Sequence, residues 1–342
     1  MYWKELKDNP RLKNVFDQRA VIVRLTREFF WSQNFIETET STAVKAPDQE
    51  PHLDPIMTKF HDENKRETVW YLQTSPEFAM KKLLGAGYEK IFQICKCFRD
   101  EEESGVTHNP EFTMIEWYRT PGAYEEIMTD TENLFKYIAE KTGVSLAKYN
   151  GCEIDMTKKW ERVRVKDLWQ KYIGVNLDDY LDEKKMAELV RERGYQVNEG
   201  DDFNDLFHKI FLNEIEPHIG KNNPTIVYEY PAQLAALARL CPADARYAER
   251  FELYICGLEI ANCFGELTDG EAQLKRFEHE QGERVRLGKS AMPIDKELIN
   301  ALKCLPNAAG VALGMDRMIM LFTGARNINE VIFQTVKDQL EY

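Results

Sequence analysis

The sequence predicts an α+β fold: a mostly antiparallel β-sheet flanked by helices and carrying a helical insertion. Two pairs of runs rich in β-formers, 91–98 with 112–118 and 251–255 with 258–264, are arranged as hairpins, and hairpin neighbours pair antiparallel. Amphipathic helical patterns stand before and after the first pair. Residues from about 150 to 225 differ in character, with helical pieces interrupted by Gly and acidic residues.

Taken in order, Val21, Ile22, Leu25, Phe29 and Phe30 recur at three- and four-residue intervals between Asp17 and Gln33, which gives a helix one apolar face. A short strand follows over 35–40, and the prolines of 43–55 mark a surface loop. A strand over 68–72 leads into Thr74-Ser75-Pro76-Glu77, with Ser75 placed as N-cap and Pro76 at the first helical position; Gly85 and Gly87 stop that helix. The first strand pair is joined by a long charged loop, 100–110, and a helix over 125–141 closes the first half. Glu183–Arg193 and Asn204–Glu216 are the helical pieces of the insertion. The second pair turns at Gly257, and a Gly-containing strand runs into a helix between Ala308 and Phe322.

Length and charge narrow the function. The 342 residues allow two domains or one with an insertion, and the reading adopted is one domain over 1–342. Apolar runs fall far short of the ~20 residues that span a bilayer, and Met1 to Glu5 carry no apolar signal segment, so a cytoplasmic protein is expected. The seven cysteines include no C-x-x-C pair, which argues for reduced thiols over disulfides or structural zinc. A net charge of −13 disfavours nucleic acid as the main partner. Walker, G-x-G-x-x-G and G-x-S-x-G patterns are absent, against P-loop, dinucleotide-binding and serine-hydrolase chemistry.

Three clusters look chemical. In the strand 112–118, period two puts Phe112, Met114, Glu116 and Tyr118 on one face, a mixture too polar for a core and suited to a ligand. Arg99 and Glu101 share parity at the end of the preceding strand: an Arg fork suits phosphate, a carboxylate suits an amine, and a flat ring suits a purine. Glu252 and Glu259 flank Gly257 and are hard oxygen ligands of the kind magnesium takes. Glu259 has the wrong parity to join Asn262, Phe264 and Glu266 in a regular strand, so either a bulge intervenes or they serve different ligands. Gly310 to Arg317 allows close backbone approach and sets Arg317 at a helix N-terminus. The bland alternatives are a salt-bridged hairpin and a solvated edge of alternating charge.

Phe98-Arg99-Asp100-Glu101, His108 to Met114, Glu259 to Glu266 and Gly314-Met315-Asp316-Arg317, in this order after Thr74 to Glu77, resemble the motifs of class II aminoacyl-tRNA synthetases. The likeness is to the lysine branch, from about 15 to 336, and within it to stand-alone paralogs of lysyl-tRNA synthetase. The resemblance implies a class II synthetase catalytic core that activates (R)-β-lysine with ATP and Mg2+ and transfers it to a lysine of elongation factor P, acting as a homodimer. Only some 16 residues precede the first motif helix, so no N-terminal anticodon-binding OB domain is expected, and tRNA is not the expected acceptor.

Carried over by position, Arg99 and Arg317 would be catalytic, and Arg99, Asp100, Glu101, His108, Asn109, Phe112, Glu259, Ile260, Gly314 and Arg317 would bind ATP. Glu252 and Glu259 would hold metal. Ser75, Pro76, Glu77, Glu116, Tyr118, Asn262, Phe264, Glu266 and Ala312 would line the amino-acid pocket, with Ala312 in place of the usual Gly as the discriminator between α- and β-lysine. Ser41, Cys263 and Gly265 depart from the family pattern, the last two being expected to alter the pocket floor. The competing readings are a minimal lysyl-tRNA synthetase, a lysine-adenylating enzyme with another acceptor, and a catalytically silent binding paralog.

Overall fold

In the computed structural model of the chain, which describes residues 2–101 and 105–340, the first long helix, α1 (Pro10–Ser32), starts earlier than Asp17. Asn9 caps it by accepting the Leu12 N–H at 3.1 Å, and Pro10 takes the first helical position. Strand β1 (Ile36–Glu37) is only two residues long. Segment 43–55 is not a surface loop: Gln49 is fully buried, and Arg284 donates to the carbonyls of Glu50 and Leu53. The prolines that break its periodicity therefore shape a wall. Helix α2 (Glu77–Gly85) begins one residue after Pro76, with Ser75 Oγ accepting from the Glu77 N–H at 3.2 Å.

The main sheet takes its next two strands from a hairpin, β2 (Lys90–Phe98) with β3 (Glu111–Arg119). Helix α3 (Tyr124–Thr142) covers its back and ends at Gly143, whose φ is 70°. Next come β4 (Glu161–Arg164), β5 (Thr225–Pro231), β6 (Asp244–Ile255) and β7 (Leu258–Gly265). Helix α4 (Gly270–Arg286), β8 (Ala309–Gly314) and α5 (Met315–Thr323) finish the layer. The order is β1-β2-β3-β8-β7-β6-β5-β4, with Leu240–Cys241 added beside β6. The β1·β2 and β5·β4 pairs are parallel and the five between them antiparallel.

The back face is apolar. Ile115, Trp117, Cys263, Val311 and Leu313 are buried in one cluster with Phe30, Phe92 and Phe135. Cys263 belongs to this side of the sheet and so does not alter the pocket floor. The expected insertion divides: 152–155 completes a hairpin and β4 joins the sheet edge, while the helical part, 165–219, packs Trp169, Phe207 and Phe211 against Tyr230 and Tyr254. Among the described residues, no helix is long and apolar enough to cross a membrane.

Candidate active site

Register puts the functional side chains in rows across the front of the sheet. Glu252 faces Asn262, Asn262 faces Ala312, Ala312 faces Glu116 and Glu116 faces Gln93. The neighbouring row runs Arg250, Phe264, Gly310, Tyr118 and Ile91. Gly310 is required there, because a Cβ would overlap the Tyr118 ring.

The parity difficulty at Glu259 resolves through a bulge. Leu253 pairs with Ala261 but Tyr254 with Glu259, so Ile260 is the extra residue. Glu259 is thereby carried to the side of Asn262. Cys256 and Gly257, with φ of 53° and 75°, form the tight turn that starts β7.

A cavity of about 460 Å³ opens over this face. Of the expected residues, Arg99, His108, Asn109, Phe112, Glu252, Glu259, Ile260, Asn262, Ala312, Gly314 and Arg317 line it. Asp100 and Glu101 do not: both are exposed, and Asp100 instead bridges to Asp54. A φ of 56° at Glu101 breaks the strand parity on which its placement rested.

Arg317 donates to the Glu259 carbonyl at 2.8 Å and lies 2.6 Å from His108 Nε2. Arg99 sits over the Phe112 ring, 5.1 Å from its centroid. Asp316, beside Arg317, is structural: it accepts from Arg19 at 2.5 Å and from the Thr113 N–H at 2.7 Å, fixing the first turn of α5 against α1 and β3.

The end of this face expected to take an amino acid is closed. Pro76, Glu77, Glu116, Tyr118, Phe264 and Glu266 are absent from the cavity lining, and Ser75 lines a second cavity. Lys81 is 2% exposed and pairs at 2.5 Å with both Glu77 and Glu266, while the Tyr118 hydroxyl donates to Glu116 at 2.7 Å. Buried carboxylates need such partners. Burial, with Glu77 nearby, pushes the Glu266 carboxyl up to about 8, and burial with the same neighbour raises Glu116. Glu116 Oε1 and Asn262 Oδ1 are buried without a hydrogen-bond partner among the described residues.

Glu252 is already engaged. Its carboxylate accepts from Tyr230 and Tyr254 at 2.6 Å each and from Arg250 at 2.7 Å. Lys81 and Arg250 were missed in the sequence, although each had a signal: Lys81 stands four residues after Glu77 on one helix, and Arg250 shares strand parity with Glu252. Gly265 is also explained, since a side chain there would overlap Glu249, which pairs with Arg239 at 2.5 Å.

A family model of class II tRNA synthetases (D, K and N) matches residues 3–336. A curated relative from Pseudoalteromonas translucida, named elongation factor P–(R)-β-lysine ligase, is 41% identical over 321 residues, covering 92% of this chain and 93% of its own. Proteins of the same name from Mannheimia succiniciproducens and Avibacterium paragallinarum are 39% and 38% identical, each over 94% of both chains.

Proposed function

The chain belongs to the class II tRNA synthetases of the D, K and N group, and we propose on that premise that it is an ATP-dependent ligase that activates (R)-β-lysine and transfers it to a lysine of elongation factor P. The observation that carries the substrate is the charge at the closed end of the site. Glu77, Glu116 and Glu266 stand against Lys81, so when all are ionised two negative charges are unmatched (three less one), and lysine and β-lysine each bring two ammonium groups.

The chemistry is in-line attack of the substrate carboxylate on the α-phosphorus of ATP, releasing pyrophosphate. Arg99 and Arg317 both line the cavity, and in this reading Arg99 holds the α-phosphate and Arg317 adds positive charge as it develops on the phosphates. Phe112 offers its ring to adenine and Asn109 the adenosine polar groups; Gly314 lets the nucleotide approach the strand. Glu259, exposed into the cavity, fits a magnesium ligand, whereas Glu252 already accepts three hydrogen bonds and is the weaker donor. Mg2+ bound with ATP supplies neutralising charge. Opening the closed end admits the amino acid to Glu77, Glu116, Tyr118, Asn262, Phe264 and Glu266, with Ala312 shaping the fit around its amino group. The protein acts in the cytoplasm as a homodimer in this reading.

Pyrophosphate exchange with (R)-β-lysine and with α-lysine, followed by transfer of labelled amino acid to elongation factor P and to tRNA, tests it. Exchange favouring (R)-β-lysine with label on the protein is expected. Efficient tRNA charging with the protein unlabelled overturns it.

A further inference from the structure

The front row that carries Ala312 and Glu116 ends at Gln93. Gln93 stands on β2 directly across from Glu116, and Ala312, on the other side of Glu116, lines the main cavity. The row therefore runs without a break from the open cavity into the closed end. Opposed residues of an antiparallel pair hold their Cβ atoms about 5 Å apart, so the Gln93 and Glu116 side chains share one space. Gln93 is 2% exposed and Glu116 is fully buried.

Both side chains present an acceptor that no donor meets. The Gln93 amide N–H donates to Thr40 Oγ1 at 2.9 Å, on the segment that follows β1, and Gln93 Oε1 is buried without a hydrogen-bond partner among the described residues. Glu116 accepts from the Tyr118 hydroxyl through Oε2, and its Oε1 is orphaned in the same way. Neighbouring buried acceptors with no donor between them are unfavourable. A primary ammonium answers both, because it carries three N–H donors and no acceptor. Charge agrees with this. A glutamine adds an acceptor without a charge, so the two unmatched negative charges of Glu77, Glu116 and Glu266 against Lys81 still equal the two ammonium groups of a diamino acid.

We propose that Gln93 is a substrate-binding residue, its Oε1 and Glu116 Oε1 together accepting from the terminal ammonium of the amino acid. The inference rests on the reading that this end takes a diamino acid, and it deepens that reading by naming a further group that grips the far amine. Glu116 lies four residues along β3 from Phe112, ~13 Å of strand, so the amine held here is the one remote from the carboxyl that meets the α-phosphate. Thr40 pins the amide by taking its N–H, which leaves the carbonyl oxygen for the ligand.

A ligand that lacks only the terminal amine isolates the contact. Dissociation constants for (R)-β-lysine and for (R)-3-aminohexanoic acid, which has the same carbon chain without that amine, are compared by calorimetry in the wild-type protein and in Gln93→Met. Loss of the acceptor is expected to weaken (R)-β-lysine by about 10- to 100-fold, while the analogue's affinity and the KM for ATP in pyrophosphate exchange stay nearly unchanged. Thr40→Val, which only unpins the amide, is expected to weaken (R)-β-lysine selectively by a smaller factor, and it supplies the same comparison where Gln93→Met does not fold. Equal weakening of the two ligands, or wild-type affinity for (R)-β-lysine in Gln93→Met, overturns the assignment. Absence of exchange with both (R)-β-lysine and α-lysine in the wild-type protein strikes the functional reading instead.

Discussion

The two ends of the front face handle charge in opposite ways. At the end proposed to bind phosphate, His108 and Glu259 are exposed, Arg317 is partly so, and Arg317 leans on the Glu259 backbone carbonyl and the His108 ring. At the end proposed to bind the amino acid, Glu77, Glu116, Glu266 and Lys81 are all less than a tenth exposed and partner one another and Tyr118. In the proposed reading the open end takes a polyanion. A sealed acidic site must exchange protons or partners to admit a cation, so in the proposed reading selectivity for the amino acid is bound up with ionisation.

Removing Lys81 breaks the contrast most severely. Lys81→Met leaves Glu77 and Glu266 buried without their cation and is expected to cost about 3–5 kcal/mol of stability, read by urea denaturation. Adding Glu266→Gln should return much of that loss; a single variant as stable as wild type would mean the pair is not buried as described. At the open end, Arg99→Ala should leave stability nearly unchanged while lowering the exchange rate by roughly 10²–10³-fold. An equal loss of stability there would erase the difference between the ends.

Ala312, on the row between Asn262 and Glu116, tests the boundary. Ala312→Gly removes a methyl group and should move the preference between β- and α-lysine towards α-lysine by about 1–3 kcal/mol. An unchanged ratio in parallel exchange assays excludes it as the discriminator.

The smallest effect is on pH. Burial raises the Glu77, Glu116 and Glu266 carboxyls, Glu266 to about 8, so at neutral pH the empty site retains protons. An ammonium ligand favours the ionised forms. Binding of lysine should therefore tighten as pH rises from 6 to 8, by less than about tenfold per unit, and release protons. The same shift has the opposite sign for folding: stability falls as pH rises from the ordinary carboxylate range through about 8. Calorimetry in buffers of different ionisation enthalpy measures the release, and an affinity flat across this range would show the carboxyls already ionised.

What was legible in the sequence follows from what leaves a periodic trace. The two hairpins, the Gly257 turn and the apolar faces of α1 and α3 are local patterns, and the order of the front rows follows from strand parity once register is known. Glu259 shows the limit: parity alone set it on the wrong face, and only the extra residue at Ile260 returns it. Segment 43–55 was misread because its order comes from distant donors, Arg284 and Gln281 on α4, which composition near the prolines does not reveal. The closed amino-acid end was illegible for a similar reason. Lys81 reads as a helix-surface cation until the sheet beneath it brings Glu266 to the same spot.

The Arg239–Glu249 pair behind Gly265 makes those three positions one mutational unit. A larger residue at 265 is barred while Glu249 occupies the space, and losing Glu249 alone strands the charge of Arg239. Exchange between a chain with a bulky residue at 265 and this one therefore requires concerted changes, and a graft of the bulky residue into this background would report the clash rather than the residue's role.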